Sequence, residues 1–126
     1  MTDIGSSTEL RVVLRTDVQL GPGKADLLQG IQELGSIAAA GRRIGMSYKR
    51  AWYLIDTLNG YFPEPLVVAT KGGTRGGGAE LTATGKVVLD SYRRMQAKTA
   101  RAIRADLEKL QAMSDPVPAR RRQRGT

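Results

Sequence analysis

The sequence predicts a mainly α-helical domain with a small β-hairpin, an N-terminal strand and a long last helix. Three observations predict it. Apolar residues recur at helical spacing in four separate stretches, a Gly-rich basic segment divides two short apolar runs, and one apolar stripe continues for about thirty residues near the end. At 126 residues, the chain has room for one modest core.

The elements follow in order. Met1 to Thr8 is polar and Ser/Thr-rich and is expected to be a flexible terminus. From Glu9 to Leu20, the residues Leu10, Val12, Leu14, Thr16, Val18 and Leu20 alternate with polar ones, the period of one half-buried strand. Gly21-Pro22-Gly23 stops it. Lys24 to Leu34 then sets Leu27, Leu28, Ile31 and Leu34 on one helical face, and Gly35 suits the left-handed residue that closes a helix. Ser36 suits the cap of a second helix, Ile37 to Ile44, whose Ala38, Ala39, Ala40 and Gly41 let another helix approach closely. Gly45 breaks it, and Ser47 caps a third helix running to about Tyr61. Its Ala51, Ile55, Leu58 and Phe62 fall on the buried side, and Tyr48, Lys49, Arg50, Tyr53 and Asp56 fall opposite.

Pro63 and Pro65 end that helix, and Leu66 to Thr70 reads as a short strand. The basic segment Lys71 to Gly78 follows, with Ala79 to Leu81 as the return strand. Thr82 or Thr84 begins the long helix, which ends before Asp115 to Pro118. Val88, Tyr92, Met95, Ile103, Leu107 and Leu110 form its apolar stripe. The organisation expected is a flexible start (1–8), a compact domain (9–82), a linking helix (83–113) and a disordered basic tail (114–126).

Composition removes several functions. With no histidine and no cysteine there is no imidazole base, no thiolate nucleophile, no zinc site of the usual nitrogen and sulfur type and no disulfide. The carboxylates Asp56, Glu64, Glu80 and Asp90 show no paired spacing, so catalysis is the weakest reading and no cofactor is expected. Nothing near the start resembles a signal peptide, and no apolar run reaches the roughly 18 residues of a membrane span, so a cytoplasmic protein is expected.

The net charge of +8 is unevenly spread. Residues 1–41 carry 3 basic and 5 acidic groups, 42–75 carry 6 and 2, 76–119 carry 7 and 5, and 120–126 carry 4 and none. The excess lies in the middle and at the end, and a basic balance of this kind serves either polyanion binding or solubility alone.

Two helices joined at Gly45 match a helix-turn-helix, which needs small residues at the crossing, positive φ at the turn and an exposed start to the second helix. On that second helix Tyr48, Lys49, Trp52 and Tyr53 are placed to reach base edges, while Arg42, Arg43 and Arg50 suit phosphates. Three bland alternatives stand beside this: an ordinary pair of short helices with a Gly turn, as in many all-α proteins, Trp52 as a packing anchor, and Arg42 and Arg43 as a solvated face. The basic Gly-rich tip directly after the motif is what a wing requires, with Lys71, Thr74 and Arg75 available to the backbone or minor groove. A nucleotide-binding loop fits less well, because no Lys-Ser/Thr ends the glycine run and no GxGxxG opens a helix. A surface loop without a role is the remaining option. The long stripe suggests pairing with a second copy and a pseudo-palindromic site, against packing on its own domain only.

The strings Gly35-Ser36-Ile37 through Ala40, Ile44-Gly45-Met46-Ser47-Tyr48-Lys49-Arg50-Ala51-Trp52, and Ala69-Thr70-Lys71-Gly72-Gly73 to Gly76-Gly77-Gly78-Ala79-Glu80-Leu81-Thr82 with Gly85 carry a resemblance. Over residues 9–112 the chain resembles the N-terminal DNA-binding domain of ModE-type molybdate-responsive regulators, a winged helix-turn-helix related to the LysR-type reader. The resemblance implies that Ser47 to Arg50 open the recognition helix, that Lys71 to Gly78 form the wing and that the last helix links or dimerises. Full-length members of the family carry molybdate-binding modules after that helix. Here a proline break and an arginine tail follow instead, so molybdate is not expected to bind this chain directly. The expected function is a dimeric transcriptional regulator binding double-stranded DNA, possible targets being molybdenum-related genes. The alternative is a protein-interaction module that pairs through its long helix.

Overall fold

The computed structural model describes residues 8–71 and 77–114. The N-terminal segment, expected as one strand, is a hairpin of β1 (Val12–Arg15) and β2 (Val18–Leu20). Thr16 and Asp17, which read as a continuation of the alternation, form the turn, where short polar side chains favour reversal over extension. Folding back also gives the strand's amides and carbonyls a partner that an isolated strand would lack. Val12 pairs with Leu20 and Val13 with Gln19, but Arg15 pairs with Val18, so the register shifts at Leu14. That shift ends the inside-outside pattern: Leu20 is buried while Val13 and Leu14 are exposed. Thr8, assigned to the flexible start, is buried as well.

Helix α1 (Pro22–Leu34) begins with Pro at its first position and ends at Gly35, whose φ of 71° lets its N–H close on the Ile31 carbonyl oxygen at 2.8 Å. Leu27, Leu28 and Ile31 are buried as expected. Leu34, expected on the same face, is exposed at the last residue of the helix. Helix α2 (Ile37–Arg43) is capped by Ser36, whose hydroxyl accepts from the Ala39 N–H. It crosses α1 where Gly30 faces Ala40, so closely that a Cβ at Gly30 would stand 2.7 Å from that of Ala40.

Gly45, at φ 71°, makes the turn into α3 (Tyr48–Asn59), and Ser47 caps that helix through the Arg50 N–H at 3.1 Å. Ala51, Leu54, Ile55 and Leu58 face inward, with Phe62 partly buried beyond the helix end. Strands β3 (Val67–Thr70) and β4 (Gly78–Leu81) pair antiparallel from Val67 with Leu81 to Thr70 with Gly78. Thr82 then caps α4 (Ala83–Met113) through the Gly85 N–H.

The 31 residues of α4 span about 46 Å at 1.5 Å per residue. Its first half covers the core made by Leu27, Leu28, Ile31, Ile55, Leu58 and Leu66. Here the expected dimerisation stripe needs correction. Tyr92 is almost wholly buried in its own domain, and its hydroxyl donates to the Leu10 carbonyl oxygen at 2.6 Å. Burial pushes the Tyr92 phenol above its ordinary pKa. Val88 packs against the same core, and Met95 is half-buried. Arg93 fastens the junction, pairing with Asp26 at 2.9 Å and donating to Gln29. Beyond Ala100 the helix leaves the domain: Ile103 and Leu110 are exposed, and Leu107 is intermediate. No helix among the described residues is long and apolar enough to cross a membrane.

Candidate nucleic-acid interface

A helix that buries Ala51, Leu54, Ile55 and Leu58 must show its remaining sides to solvent. On α3 these sides carry Tyr48, Lys49, Arg50, Trp52 and Tyr53, with Asp56 as the first acid, and all six are exposed. The aromatic rings are unusually bare for their size, Tyr48 at 59%, Tyr53 at 61% and Trp52 at 42%. Tyr48 and Trp52 meet edge to face, with centroids 6.3 Å apart, and the Arg50 guanidinium carbon stands 5.9 Å from the centre of the Tyr53 ring. Ser47 spends an oxygen lone pair on the cap, which orders the first turn. The result is a cationic, aromatic helix start with donors facing out, chemistry that suits phosphates and base edges.

The β3–β4 hairpin stands beside this face. Trp52 and Tyr48 share a groove of about 320 Å³ with Ala38, Ala69, Thr70 and Gly78, so Trp52 lies between α3 and the root of the hairpin. It is both half packed and half open. Lys71 is exposed at the end of β3. Thr74 and Arg75 lie outside the described residues, as does the basic tail.

Arg42 and Arg43 part company. Arg42 is exposed at the end of α2. Arg43 turns to α1 instead, where its Nη1 meets Glu33 Oε1 at 2.7 Å. Hydrogen bonds from Gln29 and Arg43 hold the Glu33 carboxyl below its usual pKa. Of the two, only Arg43 is held in an ion pair among the described residues.

One residue that fixes the geometry was not foreseen. Asn59, the last residue of α3, donates from Nδ2 to the Val67 carbonyl oxygen at 3.1 Å, and its Oδ1 accepts from the N–H groups of Leu66 and Val67. It thereby ties the exposed helix to the first hairpin strand. A second tie runs from the Ala79 N–H to the Gly35 carbonyl oxygen at 3.0 Å. Asparagine beside a glycine reads simply as a helix end, and only the position of β3 in space reveals its second role. Asn59→Ala leaves three part-buried backbone groups without their partner, and is expected to lower stability by about 2 kcal/mol in urea unfolding.

A helix-turn-helix of α2 and α3 followed by a packed hairpin defines a winged helix-turn-helix protein. The fold is similar to that in the crystal structure of the CbnR DNA-binding domain complexed with DNA, with a TM-score of 0.55 and 23% identity over 71% of this chain and 95% of that one. Full-length CbnR complexed with its target DNA aligns with a TM-score of 0.53 and 24% identity, over 69% of this chain and 28% of that one.

Sequence relatives are nearer still. The chain is 40% identical over 102 residues to the molybdenum transport protein ModE of Azotobacter vinelandii, covering 79% of this chain and 38% of the relative. It is 38% identical over 92 residues to the molybdenum-pterin-binding protein MopB of Rhodobacter capsulatus, covering 73% and 34%. It is 35% identical over 83 residues to the DNA-binding transcriptional dual regulator ModE of Escherichia coli K12, covering 66% and 32%. The resemblance to ModE-type regulators therefore holds, and this chain is their homologue over a part of them: it spans about a third of the length of these curated relatives. No family model matches it.

Proposed function

We propose that this chain binds duplex DNA as part of a transcriptional regulator, with α3 in the major groove and the β3–β4 hairpin as the wing. The observation that carries the reading is the exposed face of α3. Five residues in a row on the helix surface, from Tyr48 to Tyr53 apart from buried Ala51, are cationic or aromatic, and no acid interrupts them before Asp56. Lys49 and Arg50 lie in the first turn, where the helix start adds its own positive field. The ModE relatives, among them a DNA-binding transcriptional regulator, support the same reading and favour molybdenum-related genes as targets.

Two copies act together in this proposal. The α4 segment past Ala100 exposes Ile103, Leu110 and Met113 along one side, with Leu107 half-covered. Apolar side chains at that spacing suit a matching helix from a second chain. Ile103→Glu combined with Leu110→Glu is expected to halve the mass in sedimentation and to weaken binding to a two-half-site duplex by about 100-fold or more, the loss of avidity between linked sites. An unchanged mass would assign that face to another partner.

Selection of bound fragments from genomic DNA tests the functional reading as a whole. Enriched fragments are expected to share inverted half-sites spaced by whole helical turns, about 10 to 10.5 bp or a multiple, and to lie near molybdenum-uptake or molybdoenzyme genes. Enrichment elsewhere would reassign the targets, and no enrichment would remove the regulator.

A further inference from the structure

Lys24 lies in the first turn of α1 and is held from two sides. Its Nζ donates to the Gln19 carbonyl oxygen at 3.0 Å and to the Tyr61 hydroxyl at 2.9 Å, and it stands 4.9 Å from the centre of the Tyr61 ring. Arg11, just ahead of β1, lies over the bare backbone of Gly21, where an added Cβ would stand 3.5 Å from its Nη1. Arg50, on the flank of α3, completes the set. These three cations line one groove of about 460 Å³, and no carboxylate among the described residues lines it.

Such a groove runs against the ordinary electrostatics of a helix start. None of the four helices has an acid in its first turn, but serine or threonine hydroxyls cap α2, α3 and α4, and α1 alone among them has no side-chain cap. The positive end of the α1 dipole therefore faces a cluster of positive side chains, an unfavourable arrangement that an anion between them would relieve. Pre-positioning of Lys24 lowers the ordering cost of receiving one.

Position identifies the anion. The wing-side groove is bordered by Tyr48 and Trp52 of α3, whereas the cationic groove is bordered by Arg50, Tyr53 and Thr57, along the other flank of the same helix. A duplex that takes α3 into its major groove presents one strand on each flank. We propose that Arg11, Lys24 and Arg50 seat a backbone phosphate of the strand on the side of α3 away from the wing. This inference rests on the DNA-binding reading above. The ligand is a phosphodiester, a tetrahedral anion whose two free oxygens accept from guanidinium and ammonium groups.

Fluorescence anisotropy of the full chain with a labelled duplex, across a range of salt, provides the test. Arg11→Ala is expected to make the slope of log Kobs against log salt shallower by about 0.9, equivalent to about eightfold weaker binding at 0.1 M salt, and to do so equally on unrelated sequences. Arg15→Ala removes the same charge at the far end of β1, outside the groove, and is expected to leave the slope unchanged. Gly23→Glu adds a carboxylate at the groove, and a Cβ there meets nothing within 4 Å. It is expected to raise the unfolding midpoint by several degrees while weakening DNA binding by at least about eightfold.

Equal slope changes in Arg11→Ala and Arg15→Ala, or none in either, would overturn the phosphate seat while wild-type binding left the DNA reading standing. Inorganic phosphate that raises the wild-type unfolding midpoint but not that of Arg11→Ala, with the duplex slope unaltered by the variant, would assign the groove to a free oxyanion and overturn it too. A wild-type chain that binds no duplex would overturn both.

Discussion

Reversing Lys49 and Arg50 to glutamate removes duplex binding at moderate salt and leaves the fold intact. Both side chains are exposed, and neither makes a side-chain hydrogen bond or ion pair among the described residues. Arg50 loses only its contact with the exposed Tyr53 ring, which contributes less than about 1 kcal/mol. Glutamate in the first turn of α3 is itself favoured by the helix dipole, so the unfolding midpoint is expected to hold or rise slightly. Binding responds in the opposite sense. One lost phosphate contact at Arg50 shifts the salt slope by about 0.9, or about eightfold at 0.1 M salt, before the lost Lys49 contact and repulsion of the new carboxylates are counted. Affinity and unfolding measured on one preparation separate these effects, and undiminished affinity would place the DNA-binding face elsewhere.

The second large effect lies at Gly85, where α4 starts against the end of β3. A Cβ there would run into the Leu66 carbonyl oxygen and stand 3.1 Å from its carbon. The obstacle is backbone held in place several times over. Thr82 donates from its N–H to Leu66 O at 2.9 Å and from its hydroxyl to Pro65 O at 2.8 Å, while Asn59 grips the Leu66 N–H from the other side. Alanine gains about 1 kcal/mol of helix propensity over glycine, but overpacking against immobile backbone costs more. Gly85→Ala is expected to lose about 2 kcal/mol or more net, a large part of a margin of roughly 5 to 15 kcal/mol. Gly23→Ala has open space around its Cβ and is expected to gain stability instead. Urea midpoints for the pair give the comparison, and equal midpoints would contradict the tight joint.

What could be read in the sequence was local. Ser36, Ser47 and Thr82 are caps because each hydroxyl reaches an amide three residues ahead, and Gly35 and Gly45 take left-handed turns that need no distant partner. The helix-turn-helix and its hairpin followed from those signals, and the strings around Ser47 and the triple glycine carried the resemblance to ModE-type regulators. Features set by distant contacts were hidden. The alternation through Thr16 is equally consistent with a straight strand and with a bulged hairpin, since the period of two survives until Leu14 breaks it. An apolar stripe on α4 reads alike whether it covers its own domain or a partner, so only the fold separates buried Tyr92 from exposed Leu110. Asn59 and Arg11 act across 8 and 39 residues, on β3 and beside Arg50, and no periodicity signals either.

Equilibrium binding of the chain to a labelled duplex, measured by anisotropy from about 50 to 300 mM salt, tests the central claim most directly. Contacts from Lys49, Arg50 and the neighbouring cations predict a linear fall of log Kobs with log salt, with a slope of about −3 or steeper. A flat dependence, or no binding at the lowest salt, would contradict it.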